Sequence, residues 1–367
     1  MLLLIAFSLV FIVQSYFYLF LFRKYTSYQQ AINLTPAFSV SVVVCAKNEA
    51  ENLKKLLPSL ALQDHTSFEI ILIDDASTDK TLNEMLAFEK AHLNSAFKVT
   101  IIPIKKRDSN GKKTALAEGI LAAQYPYILL TDADCQPASK RWISHMSAYF
   151  SEKTAIVLGY GAYEKTNNSF LNKLIRFETL LTALQYFSYA LNGKPYMGVG
   201  RNLAYKKEAF IKAGGFNEHA HIKSGDDDLF VSQIASHTNT SICDHKESFT
   251  LSKPHTHLKQ WIRQKRRHIT TATHYRFETK FLLSLFFFSQ FSLYALLLTS
   301  LLTETFTFII IPLFLIRLIF WYGTINKTAN RLNEKDLIAF GPLYEISIIF
   351  IQLYIFLKNI ISPPKHW

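Results

Sequence analysis

Long uncharged apolar runs lie at both ends of this 367-residue chain. Residues 1–22 are almost wholly apolar, which is long enough to cross a bilayer, and Arg23 and Lys24 follow at once. A cleaved secretory signal would carry its positive charge before the apolar run and a small-residue cleavage site after it. The segment is therefore predicted to be an uncleaved anchor, and the positive-inside rule places the following residues in the cytoplasm.

Three further apolar segments follow in the C-terminal third of the chain. Residues 281–302 form an uncharged run of spanning length, and residues 306–322 form another that only Arg317 interrupts. The segment 341–361 has a short uncharged centre, because a charged residue stands near each of its ends. We predict transmembrane helices at the first two segments and a transmembrane, interfacial or re-entrant helix at the third.

The charges of the connecting loops agree with a cytoplasmic middle domain. The loop before the last apolar segment carries Lys327, Arg331 and Lys335, whereas the turn near Glu304 has no cation. The formal net charge of +12 fits three kinds of partner, namely nucleic acid, an anionic membrane surface or a polyphosphate substrate. The apolar segments make nucleic acid the least favoured of these, so we predict a membrane partner and no nucleic acid.

Between the apolar ends, residues 23–37 are predicted to be a linker and residues 38–270 a cytoplasmic domain. In its first part, β-branched and apolar runs typical of buried strands alternate with segments of helical spacing. Such alternation indicates an α/β fold with a mostly parallel sheet covered on both faces. The predicted strands are 40–45, 68–73, 98–104 and 127–130.

Two carboxylates, Asp132 and Asp134, directly follow the last of these strands. In extended backbone, residues two apart point to the same side, so both can converge on one cation at the carboxyl end of a strand. Oxygen ligands favour Mg²⁺ or Mn²⁺ over zinc. The alternative is an ordinary turn in which Asp134 caps the following helix.

Polar groups also follow other predicted strands. Asp75 comes after the second strand, where a carboxylate can accept hydrogen bonds from a base edge or a ribose hydroxyl; a turn role is the alternative. Lys112 opens a helix, and a cation near a helix N-terminus suits a diphosphate. Further along, Asp226, Asp227 and Asp228 are consecutive carboxylates that repel one another, which capping alone would not select. We therefore expect at least one of the three to be functional.

Taken in order, these elements resemble the membrane-bound family 2 glycosyltransferases of the GT-A fold, a group that includes cellulose-synthase-like and lipid-directed sugar transferases. The resemblance covers about residues 39–268. It rests on six motifs in the same order, VVVCAKNEAENL, IDDASTD, GKKTAL, TDAD, GDDDL and QKRRH.

The resemblance implies roles for individual residues. Asp75 would contact the nucleotide base and Lys112 would lie near the donor. Asp132 and Asp134 would form the D-x-D motif, with Asp134 the principal ligand of Mg²⁺ or Mn²⁺. The catalytic base would be Asp226, with the neighbouring Asp227 as the alternative, because the acidic partner that usually precedes the base is replaced by glycine.

Gln264 and Arg267 match the Q-x-x-R-W motif of the family, and His268 replaces its tryptophan. These three residues would contact the acceptor or the diphosphate. In processive polymerases the aromatic residue stacks on the acceptor sugar, so its absence favours a single addition.

The expected function is therefore metal-dependent, inverting transfer of a sugar from a nucleotide-diphosphate sugar to a lipid, lipid-linked or polysaccharide acceptor at the cytoplasmic face of the cell membrane. Two alternatives remain open, a processive polysaccharide synthase and a non-catalytic membrane scaffold or export component that retains a nucleotide-sugar-binding fold. A transporter is less favoured, because three or four spans enclose little space.

Overall fold

A computed structural model of the chain describes residues 1–29, 38–105, 111–222 and 224–362. These residues form two compact units. The α/β unit comprises residues 38–166 and 195–255, and the helical unit comprises residues 1–29, 167–194 and 256–362. The bounds predicted for the linker and the cytoplasmic domain stay predictions: residues 30–37 of the linker lie outside the described residues, and residues 167–194 and 256–270 group with the apolar helices.

The helices and strands are numbered along the whole chain. The α-helices are α1 (Leu2–Tyr16), α2 (Arg23–Thr26), α3 (Ala50–Ala61), α4 (Thr81–Ala91), α5 (Lys112–Ala122), α6 (Trp142–Ser147), α7 (Phe170–Leu191), α8 (Lys207–Lys212), α9 (Asp228–Ile234), α10 (Leu258–Ala272), α11 (Phe277–Thr303), α12 (Thr307–Arg331) and α13 (Gly341–Ile361). The strands are β1 (Val40–Ala46), β2 (Phe68–Asp74), β3 (Lys98–Pro103), β4 (Tyr127–Leu130), β5 (Cys135–Pro137), β6 (Ile156–Leu158), β7 (Gly161–Tyr163), β8 (Leu203–Lys206), β9 (Thr240–Ile242) and β10 (Thr250–Ser252).

The α/β unit is built on a seven-stranded sheet of order β3-β2-β1-β4-β8-β6-β9. Its first four strands are parallel, and β8 runs antiparallel to both β4 and β6. A second sheet has the order β5-β10-β7. The predicted α/β fold with a mostly parallel sheet is confirmed, and β8 is the strand of the large sheet that departs from the parallel arrangement.

Helices cover both faces of the large sheet, which explains why its central strands are continuous apolar runs. On one face, alternate residues of β1 and β2 pack with the apolar sides of α3, α4 and α6. On the other face, Gly119 of α5 lies so close to Val43 and Ile73 that an added Cβ would come within 2.4 Å of the Ile73 side chain. A glycine at this position therefore lets α5 pack closely on the sheet.

The register of the parallel strands brings three strand ends to one edge of the sheet. Ala46 at the end of β1 pairs with Asp74 at the end of β2, and Val43 pairs with Leu130 at the end of β4. The loops that leave β2 and β4 carry Asp75, Asp132 and Asp134, which the sequence analysis singled out. Ligands of open α/β sheets bind at such an edge.

The helical unit contains four helices long and apolar enough to cross a membrane, Leu2–Thr26, Phe277–Thr303, Thr307–Arg331 and Gly341–Ile361, among the residues described. The first includes a π-helical turn at Phe17–Leu21. Phe7, Leu293 and Ile310 form a buried apolar cluster that joins α1, α11 and α12. The last helix, α13, packs mainly against α7 and α10.

A buried ion pair lies inside the helical unit. Arg317 of α12 and Glu345 of α13 are 0% and 1% exposed, and the guanidinium donates hydrogen bonds to both carboxylate oxygens at 2.7 and 2.9 Å. Polar side chains from two other apolar helices complete the network, namely Gln14, Tyr18, Gln290 and Tyr294. Every charged group in this network therefore has hydrogen-bond partners.

Candidate active site

Lys112 joins two acidic segments at the carboxyl edge of the large sheet. Gly111, with φ of 59°, turns the chain into α5, so that Lys112 begins the helix. Its ammonium lies 2.7 Å from Oδ1 of Asp132 and 3.2 Å from Oδ2 of Asp226. The structure therefore brings together three residues that the sequence analysis singled out in three separate motifs.

The charges of this cluster support one another. Desolvation opposes the charge of Lys112, but Asp132 and Asp226 outweigh it and raise the pKa of the ammonium. Burial also opposes the charge of Asp226 and would raise its pKa, but the charge and the hydrogen bond of Lys112 lower that pKa below its usual value. The Asp226 side chain is only 14% exposed. It is therefore an ionised carboxylate in a largely enclosed position.

Asp132 and Asp134 form a small set of potential metal ligands. One oxygen of each lies within 4.8 Å of the other and of the Cys135 sulfur; the two carboxylates are in the turn after β4, and Cys135 begins β5. Desolvation and the Asp132 charge raise the pKa of Asp134, and burial with both carboxylates raises the pKa of the Cys135 thiol. A protonated thiol is a poor ligand for a hard cation. The donor set is therefore two mutually repelling carboxylates, which fits Mg²⁺ or Mn²⁺.

Arg201 is a charged neighbour of this set that the sequence analysis did not single out. Its guanidinium donates hydrogen bonds to the carbonyl groups of Gly161 and Ala162 and lies 4.4 Å from the ring centroid of Tyr163. The Arg201 charge acts on Asp134 and lowers its pKa, against the larger raising effects. Since β7 holds the guanidinium, no local motif around Arg201 could have revealed its position.

The three consecutive carboxylates have different surroundings. Asp227 accepts hydrogen bonds from the backbone N–H groups of Gly200 and Asp228, both at 2.7 Å, and caps the N-terminus of α9. Burial and the charges of Asp226 and Asp228 raise the pKa of Asp227 to about 8. The Asp227 carboxyl group is therefore hydrogen-bonded to backbone N–H groups, whereas the Asp226 carboxylate pairs with the Lys112 ammonium.

Asp75 lies at the same edge of the sheet. It is 2% exposed, and its backbone N–H donates to the carbonyl of Ala46 at 2.8 Å. Burial raises the pKa of the nearby Cys45 thiol to about 12, and Asp75 contributes to this shift together with Asp132 and Asp226. Cys45 thus lies within the electrostatic influence of these carboxylates, although nothing in its sequence context suggested this.

A shallow, open depression borders Asp134. Its lining residues are Asn52, Lys55, Asp134, Cys135, Gln136, Glu164 and Lys253.

The Q-x-x-R-H residues belong to the helical unit, on α10. Gln264, Arg267 and His268 are three and four residues apart, so they share one side of the helix. Gln264 Oε1 is buried and has no hydrogen-bond partner among the described residues, and His268 is exposed. Lys265, which follows Gln264 in the sequence, forms an ion pair with Glu178 of α7 at 2.5 Å.

Residues 41–214 match the sequence profile of glycosyl transferase family 2. The chain carries a family 2 glycosyltransferase domain. The matched range includes four of the proposed donor-site residues, Asp75, Lys112, Asp132 and Asp134.

Curated relatives match parts of this domain. The chain is 34% identical over 95 residues to a poly-β-1,6-N-acetyl-D-glucosamine synthase of Staphylococcus epidermidis, which is 26% of this chain and 21% of that protein. It is 32% identical over 108 residues to a dolichyl-phosphate β-glucosyltransferase of Drosophila melanogaster, which is 27% of this chain and 32% of that protein. The chain thus matches a fifth to a third of the length of these relatives.

A solved structure resembles a larger part of the chain. The mannosyltransferase PcManGT from Pyrobaculum calidifontis, in complex with GDP-Man and Mn²⁺, is 16% identical, with a TM-score of 0.58 over 96% of this chain and 99% of that chain. At this identity the likeness concerns the fold. The family 2 domain therefore has the GT-A architecture expected from the sequence.

Proposed function

We propose that the chain transfers a sugar from a nucleotide-diphosphate sugar to a hydroxyl group of a lipid, lipid-linked or polysaccharide acceptor, with inversion at the anomeric carbon. The family 2 domain supports sugar transfer in general. The observation that carries the specific proposal is the position of Lys112 between Asp132 of the D-x-D motif and Asp226. One cation thereby connects the proposed donor site with the proposed base.

On the donor side, Asp75 would accept hydrogen bonds from the nucleotide base, and the Lys112 ammonium would pair with the diphosphate. Asp134, together with Asp132, would hold Mg²⁺ or Mn²⁺. When bound, such a cation neutralises charge that develops on the diphosphate leaving group.

Asp226 is the better candidate for the general base. Both Asp227 oxygens accept backbone hydrogen bonds, so Asp227 has a structural task already. Asp226 would take the proton of the acceptor hydroxyl as the hydroxyl oxygen forms its bond to the anomeric carbon. The bond from that carbon to the diphosphate breaks, and attack from the opposite side inverts the centre.

For the acceptor, the resemblance to the family suggests three residues of α10. Gln264, Arg267 and His268 are the proposed contacts of the acceptor or the diphosphate. The apolar helices support a location at a membrane, and the basic residues of α10 support the cytoplasmic face of the cell membrane. A lipid or lipid-linked acceptor would be available there, and a single addition is favoured because His268 replaces the aromatic residue.

The proposal is tested with the purified full chain and a panel of UDP- and GDP-sugars, by measuring release of nucleoside diphosphate with and without Mn²⁺. We expect one donor to be consumed in the presence of membrane lipid. Asp134→Ala should abolish transfer and metal-dependent nucleotide binding without lowering the unfolding temperature, because Asp134 lies at the surface.

The matched control is Asp64→Ala, which removes a carboxylate that pairs with Arg141 at 3.5 Å. It should keep full transfer activity. Retained transfer by Asp134→Ala would contradict the proposed metal site. Donor binding without consumption of any donor would instead favour the non-catalytic scaffold.

A further inference from the structure

The segment that leads into the last apolar helix begins on the side of the membrane where α11 begins. A short turn at Glu304 joins α11 and α12, so the start of α11 and the end of α12 lie on the same side. At that end, Arg331 donates hydrogen bonds to the carbonyl groups of Tyr25, in the last turn of the first apolar helix, and of Tyr28, just after it. The segment that leads into α13 therefore departs from this side.

The other end of α13 returns to the same side. The Arg266 guanidinium donates to Asn359 Oδ1 at 2.8 Å and to the carbonyl of Ser362, and the Asn359 amide donates back to the carbonyl of Arg266 at 3.1 Å. Arg266 belongs to α10, which ends at Ala272, shortly before α11 begins at Phe277. Residues 359–362 are thus held against α10, on the side from which the chain enters α11.

The positions of the segment that leads into α13 and of the end of α13 are incompatible with a helix that crosses the membrane. A helix of 21 residues is about 31 Å long, roughly the thickness of the hydrocarbon core, so a crossing would leave Ser362 beside the Glu304 turn. Instead, Glu345 in the first turns of α13 pairs with Arg317 in the middle of α12. We propose that α13 is a re-entrant helix, which starts inside the helix bundle and descends through one leaflet to the side where α11 begins.

The segment between α12 and α13 is partly covered by protein. Non-helical backbone at membrane depth is tolerated only where protein covers it. Glu334 and Leu337 of this segment are 2% and 0% exposed. The Glu334 carboxylate accepts hydrogen bonds from Arg176 of α7, which also binds Asp336. Protein thus covers Glu334 and Leu337, whereas Asn333, Lys335 and Asp336 are exposed and would face water on the side where α11 begins.

The exposed side of α13 indicates its partner, which is the acyl-chain region of that leaflet. One side of the helix packs on protein, mainly on α7 and α10. The opposite side carries an apolar stripe with spacings of seven, four, three and four residues, made of Leu343, Phe350, Tyr354, Leu357 and Ile361. The Lys358 ammonium lies 2.8 Å from the Tyr354 hydroxyl, near the end of the helix, where a cation meets lipid head groups.

The proposal concerns the topology and does not rest on the transferase activity. Single cysteines are placed in the full chain at three exposed positions, Ser27→Cys, Glu304→Cys and Ser362→Cys. A membrane-impermeant maleimide is then applied to right-side-out and to inverted membrane vesicles, with the unsubstituted chain as background. Ser362→Cys should be labelled from the same side as Ser27→Cys and to a similar extent, and Glu304→Cys from the opposite side only.

Labelling of Ser362→Cys from the side of Glu304→Cys, or from both sides, would overturn the proposal. A second measurement does not depend on the folding of these variants. An epitope tag placed after Trp367 of the otherwise unchanged chain should be protected from protease in right-side-out vesicles and cleaved in inverted ones, if Ser27 is on the inner side. Cleavage from the side of the Glu304 turn would contradict a re-entrant α13.

Discussion

Two clusters of charged side chains, one in each unit, differ in their exposure to solvent. In the α/β unit, Lys112 and Asp132 are 38% and 32% exposed, and one ammonium serves two carboxylates. In the helical unit, Arg317 and Glu345 are 0% and 1% exposed, and side chains from other helices satisfy both. The cluster in the α/β unit has more carboxylates than cations and is accessible to a ligand. In the helical unit, the charged groups of Arg317 and Glu345 are buried and already hydrogen-bonded, so they do not bind a further ligand.

The comparison indicates what each cluster is for. An accessible site with surplus carboxylates can bind a cation and a phosphorylated donor. A buried pair whose hydrogen bonds are complete holds helices together, because removal of one partner leaves an uncompensated charge. Variants of the cluster in the α/β unit should therefore lose activity and keep stability, and variants of the cluster in the helical unit should lose stability first.

The largest effect is expected for Asp226→Asn. Loss of a general base lowers turnover by about 10²–10⁴-fold. Donor binding should persist, because Lys112 keeps its contact with Asp132. Turnover and donor affinity are measured separately, by nucleoside diphosphate release and by calorimetry.

Asp64→Asn makes the same chemical change at an exposed carboxylate and should leave turnover unchanged. If Asp227→Asn alone lost turnover while Asp226→Asn kept it, Asp227 would be the base.

A large loss of stability is expected for Glu345→Ala. The change leaves the Arg317 guanidinium buried without its counter-ion, which costs about 3–5 kcal/mol. The thermal unfolding of the full chain in lipid nanodiscs measures it.

The double variant Arg317→Met/Glu345→Leu removes both charges and should regain most of the lost stability. If the double variant were as unstable as Glu345→Ala, the loss would come from packing and the comparison of the two clusters would fail.

A smaller, pH-dependent effect is expected for Asp227→Asn. The folded-state pKa of Asp227 is raised to about 8, compared with about 3.9 in an unfolded chain. Between these values the folded state keeps a proton that the unfolded state has lost, so this residue makes stability fall as the pH rises from about 4 to 8. In Asp227→Asn this fall should be weaker, as measured by chemical denaturation at pH 5 and pH 8. An unchanged fall would mean that another group carries the proton.

The smallest effect is expected where an ion pair is fully exposed. Lys54 and Glu51 lie 2.6 Å apart on the surface of α3, and their side chains are 48% and 84% exposed. Lys54→Ala should change neither the unfolding temperature nor the turnover, since solvent screens such pairs. A clear loss of stability or turnover would contradict this comparison. It would show that the short distance between the two charges, and not their burial, decides how much an ion pair contributes in this chain.

The sequence allowed prediction of the local parts of the fold. The strands and the D-x-D turn follow from apolar runs and from the acidic residues that end them. The positions of Arg201 and Cys45 beside the acidic residues could not be predicted, because other strands hold Arg201 and local sequence says nothing of Cys45's neighbours. The pairing of Arg317 with Glu345 was equally hidden: each residue only interrupted an apolar run, and their contact depends on how α12 and α13 pack.

The shared ammonium of Lys112 has a thermodynamic consequence for ligand binding. With Asp132, Asp134 and Asp226 ionised, the charges of Lys112 and Arg201 leave the cluster with one net negative charge. A nucleotide diphosphate would be repelled by this field, and a divalent cation reverses its sign. We therefore expect donor and cation to bind with reciprocal coupling, so that each strengthens the affinity of the other by the same factor. Cation titrations at rising donor concentration would read that factor directly.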